Sequence, residues 1–232
     1  MNKKYILIQS RLSSSRFPKK MLHNVLNTPL VKYVYNRCKQ SKLADGVVVI
    51  TSSEKSDDEL YEFCKKNNLL VFRGDLNNVF KRYLNAAENY NSSIICRVCG
   101  DSPFVDVDAI DNMFTEFEQE RHLDYMSTVN SLNGFMSEVF TLDLLKKVYN
   151  CVLSSEDKEH VTKYIRDNIS CFNVKQLNLK LRPTELEKFS LTVDFPEDIV
   201  VVEKIVKNLD SYDFTSTDII NILNSMKEDN EL

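Results

Sequence analysis

The chain has 232 residues, of which 43% are hydrophobic and 28% are charged, and its formal net charge is −4. This length suits one large domain or two small ones, and the composition is that of a globular protein with enough apolar side chains for a full core. No apolar run has the length of a membrane span, no signal peptide is recognisable at the start, and no broad basic face indicates nucleic acid, so we expect a cytoplasmic protein without membrane or nucleic-acid partners.

The first half of the chain alternates short apolar runs with amphipathic segments. Runs of the buried-strand type occur at 5–9, 46–51, 69–72 and 93–98, and segments of the helical type at 29–41, 56–67, 76–90 and 106–120. The helix at 56–67 opens with Ser56-Asp-Asp-Glu59, which has the spacing of a capping box. This alternation predicts an α/β fold with a mostly parallel sheet and right-handed crossovers.

The second half is less regular. Strands are predicted at 122–128, 138–141, 171–181 and 190–193, and helices at 142–151, 156–168, 196–209 and 216–227. The simplest interpretation is one domain over 1–232 that includes a smaller α+β portion, which we place at 121–185.

A basic loop follows the first predicted strand. The stretch from Gln9 to Lys20 reads Gln-Ser-Arg-Leu-Ser-Ser-Ser-Arg-Phe-Pro-Lys-Lys. Ligands of open α/β sheets bind just beyond the carboxyl ends of the strands, and Arg and Lys both hold phosphate oxygens. A local positive loop in an acidic protein suits a small anionic ligand such as a polyphosphate, although a solvated basic turn fits the same spacing.

The glycine and cysteine patterns argue against a dinucleotide site, a P-loop and a metal or redox site. The chain has neither a G-x-G-x-x-G nor a P-loop pattern, which disfavours a dinucleotide dehydrogenase and a P-loop nucleotidase. Gly74, Gly100 and Gly134 stand just after or between strands, where a positive φ or a close backbone approach is expected. Cys96 and Cys99 have C-x-x-C spacing without a second pair nearby, so packing of Cys96 in the core is favoured over a metal or redox site.

Two aspartates stand at the ends of predicted strands. Asp101 follows Gly100 and precedes Ser102-Pro103, and Asp194 lies just before Pro196. Mg²⁺ is usually bound through one or two carboxylates plus substrate phosphates, and these two acids could serve. A role as helix N-caps or turn residues is the alternative, and the spacing alone leaves both open.

Seven motifs occur in a recognisable order over nearly the whole chain. They are Gln9, Arg11, Ser14, Arg16, Pro18 and Lys20 in the basic loop, Thr51-Ser52 with Asp57-Asp58, Phe72-Arg73-Gly74, Arg82-Tyr83, Gly100-Asp101 with Pro103, Glu159 to Arg166, and Thr192 to Asp198. Each motif is weak alone, but the ordered set resembles the cytidylyltransferases that activate acidic sugars, the 3-deoxy-manno-octulosonate and acylneuraminate cytidylyltransferase superfamily. The branch that it resembles most is the spore coat polysaccharide protein F type. The chain departs from that type at Ser10, Ser13 and Lys19, where backbone approach to the phosphates and local charge would differ.

The resemblance implies a Rossmann-like three-layer nucleotidyltransferase fold and a transfer of CMP from CTP to a small anionic acceptor, with release of pyrophosphate. It implies Mg²⁺ on Asp101 and Asp194, and catalytic roles for these two acids and for the cations that would hold the β- and γ-phosphates, Arg11, Arg16 and Lys20. The nucleotide-binding residues that it implies are Gln9, Ser10, Arg11, Ser14, Arg16, Lys20, Arg73, Gly74, Arg97 and Gly100. Those implied for the acceptor are Glu138, His160 and Arg166.

Several alternatives stay open at this point. The acceptor could be an acidic sugar, giving a CMP-sugar, or a sugar phosphate, polyol phosphate or phosphonate, giving a CDP-linked product. A phosphorylated acceptor would need extra cations, for which Lys19, Arg73 or Arg182 could serve. A catalytically inactive nucleotide-binding protein and a structural subunit are alternatives of other classes. The strand at 171–181 could pair with another chain, and we expect a homodimer in which 121–185 serves acceptor binding or dimerisation.

Overall fold

The structure, a computed structural model, describes residues 2–151, 153–181 and 189–229, so Arg182 lies outside the described residues. The strands are β1 (Lys4–Gln9), β2 (Asn24–Val25), β3 (Thr28–Pro29), β4 (Gly46–Ser52), β5 (Val71–Gly74), β6 (Ile94–Cys99), β7 (Tyr125–Ser131), β8 (Glu138–Thr141) and β9 (Val174–Leu181). The α-helices are α1 (Leu30–Cys38), α2 (Asp58–Lys66), α3 (Val79–Asn89), α4 (Val107–Gln119), α5 (Leu142–Tyr149), α6 (Ser155–Glu159), α7 (Lys163–Asp167), α8 (Pro196–Lys207) and α9 (Ser216–Glu228).

The central sheet is mostly parallel. Within the described ranges, seven strands form it in the order β5-β4-β1-β6-β8-β7-β9. Neighbours from β5 to β6 pair in parallel, β8 runs antiparallel to β6 and β7, and β9 is parallel to β7. Gln9 at the end of β1 pairs with Ile50 of β4 and Cys99 of β6, so the loops after these three strands leave the sheet at one edge. The predicted α/β fold with a mostly parallel sheet is therefore confirmed.

The sheet is covered by helices on both faces. Because side chains alternate along a strand, Ile6 and Ile8 of β1 lie in one hydrophobic core and Leu7 lies in the other. Side chains of α1, α2, α4, α8 and α9 belong to the first core, and side chains of α3, α5 and α7 to the second. These three layers form the Rossmann-like arrangement that was expected, and residues 121–181 continue the same sheet through β7, β8 and β9.

Two predicted helix features are wrong. The capping box at Ser56 does not form, because Ser56 lies in a 3₁₀ turn, Lys55–Asp57, and α2 begins only at Asp58. The helix predicted at 156–168 is divided into α6 and α7. The break places the hydroxyl of Thr162 against the buried carboxylate of Glu138, 3.0 Å away, which a straight helix need not do.

The prediction of a strand at 190–193 is also wrong. Its residues form only an isolated bridge between Ser190 and Asn133. The amide of Leu191 donates to the carbonyl of Asn133 at 2.9 Å, and the amide of Val193 donates to the carbonyl of Asp101 at 2.9 Å. The segment therefore bonds to two different loops rather than to one strand, and this carries Asp194 to the edge of the sheet.

Two further expectations concern membranes and cysteine. No helix in the described part of the chain is long and apolar enough to cross a membrane. Cys96 is fully buried in the core, as its apolar strand pattern predicts.

Candidate active site

The basic loop begins where β1 ends and is closed by its own backbone. The amide of Lys19 donates to the carbonyl of Leu12 at 3.1 Å, and Lys19 adopts a left-handed conformation with φ of 57°. A short 3₁₀ helix, Lys20–Leu22, follows. This closure turns Lys20 back towards the sheet, whereas the exposed Lys19 pairs with Glu59 at 2.5 Å and lines neither of the cavities described below.

Lys20 joins the two predicted aspartates. Its side chain is buried, and Nζ lies 2.8 Å from Oδ2 of Asp101, 3.4 Å from Oδ1 of Asp194 and 2.7 Å from the carbonyl oxygen of Val193. The side chains of Asp101 and Asp194 remain 27% and 29% exposed. The two acids, far apart in sequence, therefore surround a single ammonium group at one edge of the sheet.

The arginines of the basic loop also have carboxylate partners. Arg16 donates to Oδ1 of Asp194 at 2.7 Å and lies over the ring of Phe195, and Arg11 lies 3.6 Å from Glu159 of α6. These groups line a cavity of about 250 Å³, which we call the basic-loop cavity. Three cations of the basic loop thus lie in one cavity, each beside an acid.

Three other residues of this cavity are polar and buried or nearly so. Oε1 of Gln9 and Oγ of Ser10 are buried and make no hydrogen bond within the described part of the chain, and both side chains line the cavity. Arg82 of α3 lines it as well and donates to the carbonyl oxygen of Asp75 at 2.7 and 2.9 Å. Burial lowers the pKa of Arg82. The sequence offered only an Arg-Tyr pair on a helix as a signal for this fourth cation. Ser14, which the resemblance implied, also lines the cavity.

Gly100 permits the close approach of the loops after β1 and β6. Its amide donates to the carbonyl oxygen of Gln9 at 2.9 Å. A Cβ at position 100 would collide with Oγ of Ser10 and would lie 2.9 Å from Sδ of Met21 and 3.0 Å from that carbonyl oxygen. A side chain here therefore has to displace backbone as well as side chains.

We expect Gly100→Ala to lower the free energy of unfolding by about 1–3 kcal/mol, because it overpacks a filled site. Urea unfolding measures the change. Adding Ser10→Ala should recover part of the loss, since Oγ of Ser10 is the nearest atom to the new methyl group. If Gly100→Ala alone is as stable as the wild type, the loops after β1 and β6 can move apart without loss of unfolding free energy, which would contradict this prediction.

A buried ion pair lies beside the basic-loop cavity. Nη1 of Arg97 is 2.7 Å from Oε2 of Glu138, which also accepts from Thr162, while Oε1 accepts from the hydroxyl of Tyr125. Arg166 reaches Oε1 at 3.6 Å. Burial alone would raise the pKa of Glu138, but the charge of Arg97 and the hydrogen bonds outweigh it, so the pKa lies below its ordinary value.

This ion pair forms part of the wall of a second cavity, of about 350 Å³, which we call the β7–β8 cavity. Other parts of the wall carry hydroxyl and amide groups, from Ser127, Thr128, Asn133, Ser137, Gln176 and Thr192. Of these six, only Thr192, which opens the last motif, was singled out from the sequence, because no motif marks the other five. Arg166 lines this cavity, but the exposed His160 lines neither cavity.

Four residues implied for the nucleotide do not line the basic-loop cavity: Arg97 lines the β7–β8 cavity instead, Gly100 lines neither, and Arg73 and Gly74 lie elsewhere. The guanidinium of Arg73 donates to the carbonyl oxygens of Ser52 and Glu54, each at 2.8 Å, and pairs with Asp58 at 2.7 Å. Gly74 packs against Arg82, whose Cγ would lie 2.9 Å from an added Cβ. Arg73 and Gly74 line neither the basic-loop cavity nor the β7–β8 cavity.

The two aspartates fit a divalent cation. Both carboxylates lie beside Nζ of Lys20 and are partly exposed, and two carboxylates plus substrate phosphates are a common donor set for Mg²⁺. No cluster of three or more His, Cys, Asp or Glu side chains suited to a metal occurs in the described ranges. A cation here would therefore need oxygen donors from a ligand as well as from the protein.

The two cavities meet at Cys99 and Asp101, which line both. A polyphosphate in the basic-loop cavity and a second molecule in the β7–β8 cavity would approach each other beside Asp101. The arrangement suits a transfer between two bound substrates, with cations on one side and hydrogen-bonding groups on the other.

Known proteins resemble this chain in sequence and in structure. A sequence model described as Cytidylyltransferase matches residues 5–219. The spore coat polysaccharide biosynthesis protein SpsF of Bacillus subtilis is 31% identical, over 97% of this chain and 95% of its own. The solved structure of a cytidylyltransferase from Leptospira borgpetersenii serovar Hardjo-bovis is 30% identical, with a TM-score of 0.90 over 99% of this chain and 96% of that one. The solved CMP:2-keto-3-deoxy-manno-octonic acid synthetase complexed with CTP is 14% identical, with a TM-score of 0.69 over 89% and 99% of the two chains, a likeness of fold.

Proposed function

This chain belongs to the cytidylyltransferase family of nucleotidyltransferases, and on that premise we propose that it transfers CMP from CTP to an acidic sugar or a related small acceptor, with release of pyrophosphate, in the synthesis of a surface glycan. The superfamily predicted from the ordered motifs is confirmed by the match over residues 5–219 and by the likeness to SpsF. The meeting of the two cavities at Asp101 is the observation that carries the proposal, because it gives each substrate a place beside the other.

The proposed reaction needs charge neutralisation and alignment. The acceptor hydroxyl oxygen bonds to the α-phosphorus, the bond from that phosphorus to the oxygen of the leaving pyrophosphate breaks, and the hydroxyl proton is released to the medium. Arg11, Arg16 and Lys20 would hold the β- and γ-phosphates so that the leaving group departs neutralised. For this, Arg16 exchanges the carboxylate of Asp194 for a phosphate oxygen.

Asp101 and Asp194 have two functions in this proposal. They would hold Mg²⁺, which when bound supplies positive charge at the phosphates and lowers the pKa of the acceptor hydroxyl. Independently of any cation, the two carboxylates fix Lys20 at the edge of the basic-loop cavity through its Nζ. Lys20 is thereby held in place before the nucleotide arrives.

The β7–β8 cavity favours an acceptor with a single negative charge. Glu138 neutralises Arg97, and Arg166, which is half exposed, is the cation that remains closest to solvent in the described wall. Of the three cations suggested for a phosphorylated acceptor, Lys19 and Arg73 pair with Glu59 and Asp58 outside both cavities, and Arg182 lies outside the described residues. The hydroxyl and amide groups of the wall suit the hydroxyls of a sugar.

The association of two chains is a further part of the proposal. β9 is the last strand on its side of the sheet in the described part of the chain, and a second copy could contact it. Dimerisation through 121–185 and a cytoplasmic location stay predictions from the sequence.

Incubation with each nucleoside triphosphate, Mg²⁺ and a panel of acidic sugars should release pyrophosphate fastest with CTP, and the product mass should be that of a CMP-sugar. CTP should raise the melting temperature more with Mg²⁺ than without it, because a ligand stabilises the state that it binds. Arg16→Ala should abolish this rise, whereas Arg121→Ala, a control at an exposed arginine outside both cavities, should keep it.

Other outcomes separate the alternatives. A product with the mass of a CDP-linked compound would favour a phosphorylated acceptor or a phosphonate. A melting shift without turnover on any acceptor would favour an inactive nucleotide-binding protein. The absence of a shift with every nucleoside triphosphate would contradict the transferase proposal.

A further inference from the structure

Asp57 ties the basic loop to the end of β4. It is fully buried, and its Oδ1 accepts a hydrogen bond from the amide of Leu12 at 2.7 Å. Its Oδ2 accepts from the amide of Ser52 at 3.3 Å and from the hydroxyl of the same residue. One side chain therefore holds two segments of backbone that converge at the edge of the sheet.

The carboxylate of Asp57 bonds to the basic loop and to β4 rather than to its own helix. Asp57 occupies the position that precedes α2, where a carboxylate commonly accepts from the first amides of the helix, yet it makes no such bond. A buried carboxylate is costly unless its oxygens are hydrogen-bonded, and bonds to an ionised acceptor are stronger than neutral ones. The donors that satisfy this carboxylate come from Leu12 and Ser52, so its energy depends on the position of the loop.

Leu12 is fixed at both of its backbone polar groups. Its amide donates to Asp57, and its carbonyl oxygen accepts from Lys19 at 3.1 Å. Arg11 precedes Leu12 directly, and the serine run follows it. The orientation of Arg11 and of the serines towards the basic-loop cavity thus depends on a bond that lies beneath the loop.

We propose that Asp57 is a positioning residue for nucleotide binding, which sets the backbone at Leu12 so that Arg11 and the following serines face the basic-loop cavity. This inference rests on the proposed nucleotide function of that cavity.

Asp57→Asn tests the inference, with Asp106→Asn as a matched control. An asparagine keeps the shape, but its NH₂ group would face either the amide of Leu12 or the amide of Ser52, so one of these two amides loses its acceptor. Asp106 is also buried and also accepts from a backbone amide and a serine hydroxyl, those of Ala109 at 2.8 Å and Ser216 at 2.9 Å, but it lines neither cavity. A third variant, Ser52→Ala, removes one donor and keeps the bond to Leu12.

All three variants should melt at a lower temperature than the wild type, and calorimetry of CTP binding with Mg²⁺, well below those temperatures, separates them. Asp57→Asn should weaken binding by about tenfold or more, whereas Asp106→Asn and Ser52→Ala should stay within about twofold. Equal affinity in Asp57→Asn, or an equal loss in Asp106→Asn, would overturn the inference. If Asp57→Asn does not fold, Asp57→Glu, which keeps the charge and shifts it by one methylene group, gives the same comparison.

Hydrogen exchange of the ligand-free protein gives a second measurement. The amides of residues 11–17, 19 and 20 should exchange faster in Asp57→Asn than in the wild type, and at the wild-type rate in Asp106→Asn. If the wild type binds no nucleoside triphosphate, the proposed function fails, but the exchange rates still decide whether Asp57 anchors the loop. Unchanged exchange at Leu12 would overturn the inference by itself.

Discussion

Replacing Asp101 by asparagine is expected to slow nucleotidyl transfer by about a hundredfold or more while the chain stays folded. Asp101 lines both cavities, and its carboxylate lies 2.8 Å from Nζ of Lys20. The amide removes negative charge at the place where the proposed substrates meet and where a cation would be held. The fold should persist because Nζ keeps the carbonyl oxygen of Val193, and because the amide of Val193 bonds to the main-chain carbonyl of Asp101 rather than to its carboxylate.

Initial rates of pyrophosphate release at saturating CTP measure this effect, and a hundredfold change corresponds to about 2.7 kcal/mol of transition-state free energy. Asp108→Asn is the control, since Asp108 is an exposed acid in the first turn of α4 and lines neither cavity. Unfolding curves of the variants should overlay that of the wild type within about 1 kcal/mol. A rate within about threefold of the wild type would remove Asp101 from the catalytic residues.

Glu138→Gln is expected to lower the free energy of unfolding by about 3–5 kcal/mol, because it leaves the guanidinium of Arg97 buried without a counter-charge. The side chains of Arg97 and Glu138 are 20% and 10% exposed, and Nε of Arg97 has no hydrogen-bond acceptor in the described part of the chain. The double variant Arg97→Met with Glu138→Gln should be less destabilised than the sum of its single variants, since it removes both charges together. Urea unfolding of the four proteins measures this coupling, and additive losses would contradict a dominant role for the ion pair.

The same pair predicts a dependence on pH. The pKa of Glu138 is lower in the folded chain than its ordinary value of 4.5, so the ionised carboxylate favours the folded state. Its contribution is complete above about pH 4.5 and is lost as the pH falls through the lower folded-state pKa. Unfolding measured across this range should therefore show the gap between the wild type and Glu138→Gln narrowing as the solution becomes more acidic.

Strands buried on both faces could be predicted because their sequences are continuous apolar runs. β1, β4 and β6 are of this kind, and the residues that follow them had to meet at one edge of a parallel sheet. The gathering of the basic loop and Asp101 could therefore be anticipated. Asp194 was harder, because the segment before it bonds to two loops and forms no strand.

The hydrogen-bond partners of some charged side chains could not be predicted, because they depend on which segments pack together in the fold. Arg73 was expected to bind the nucleotide or a phosphorylated acceptor, but the backbone at and after the end of β4 presents two carbonyl oxygens to its guanidinium. Asp57 directly precedes α2, where a carboxylate commonly caps the helix, but its oxygens accept from Leu12 and Ser52 instead. Both outcomes depend on backbone groups, which every residue carries and which no motif reveals.

The balance of charge in the basic-loop cavity bears on how a nucleotide reaches it. Four cations there face three carboxylates, and the whole chain is acidic, so little positive field extends into solvent. A polyanion diffusing towards the protein is then steered weakly, and its encounter rate should depend little on ionic strength. Recognition would begin at contact, when phosphate oxygens replace the carboxylates around cations that are already in position.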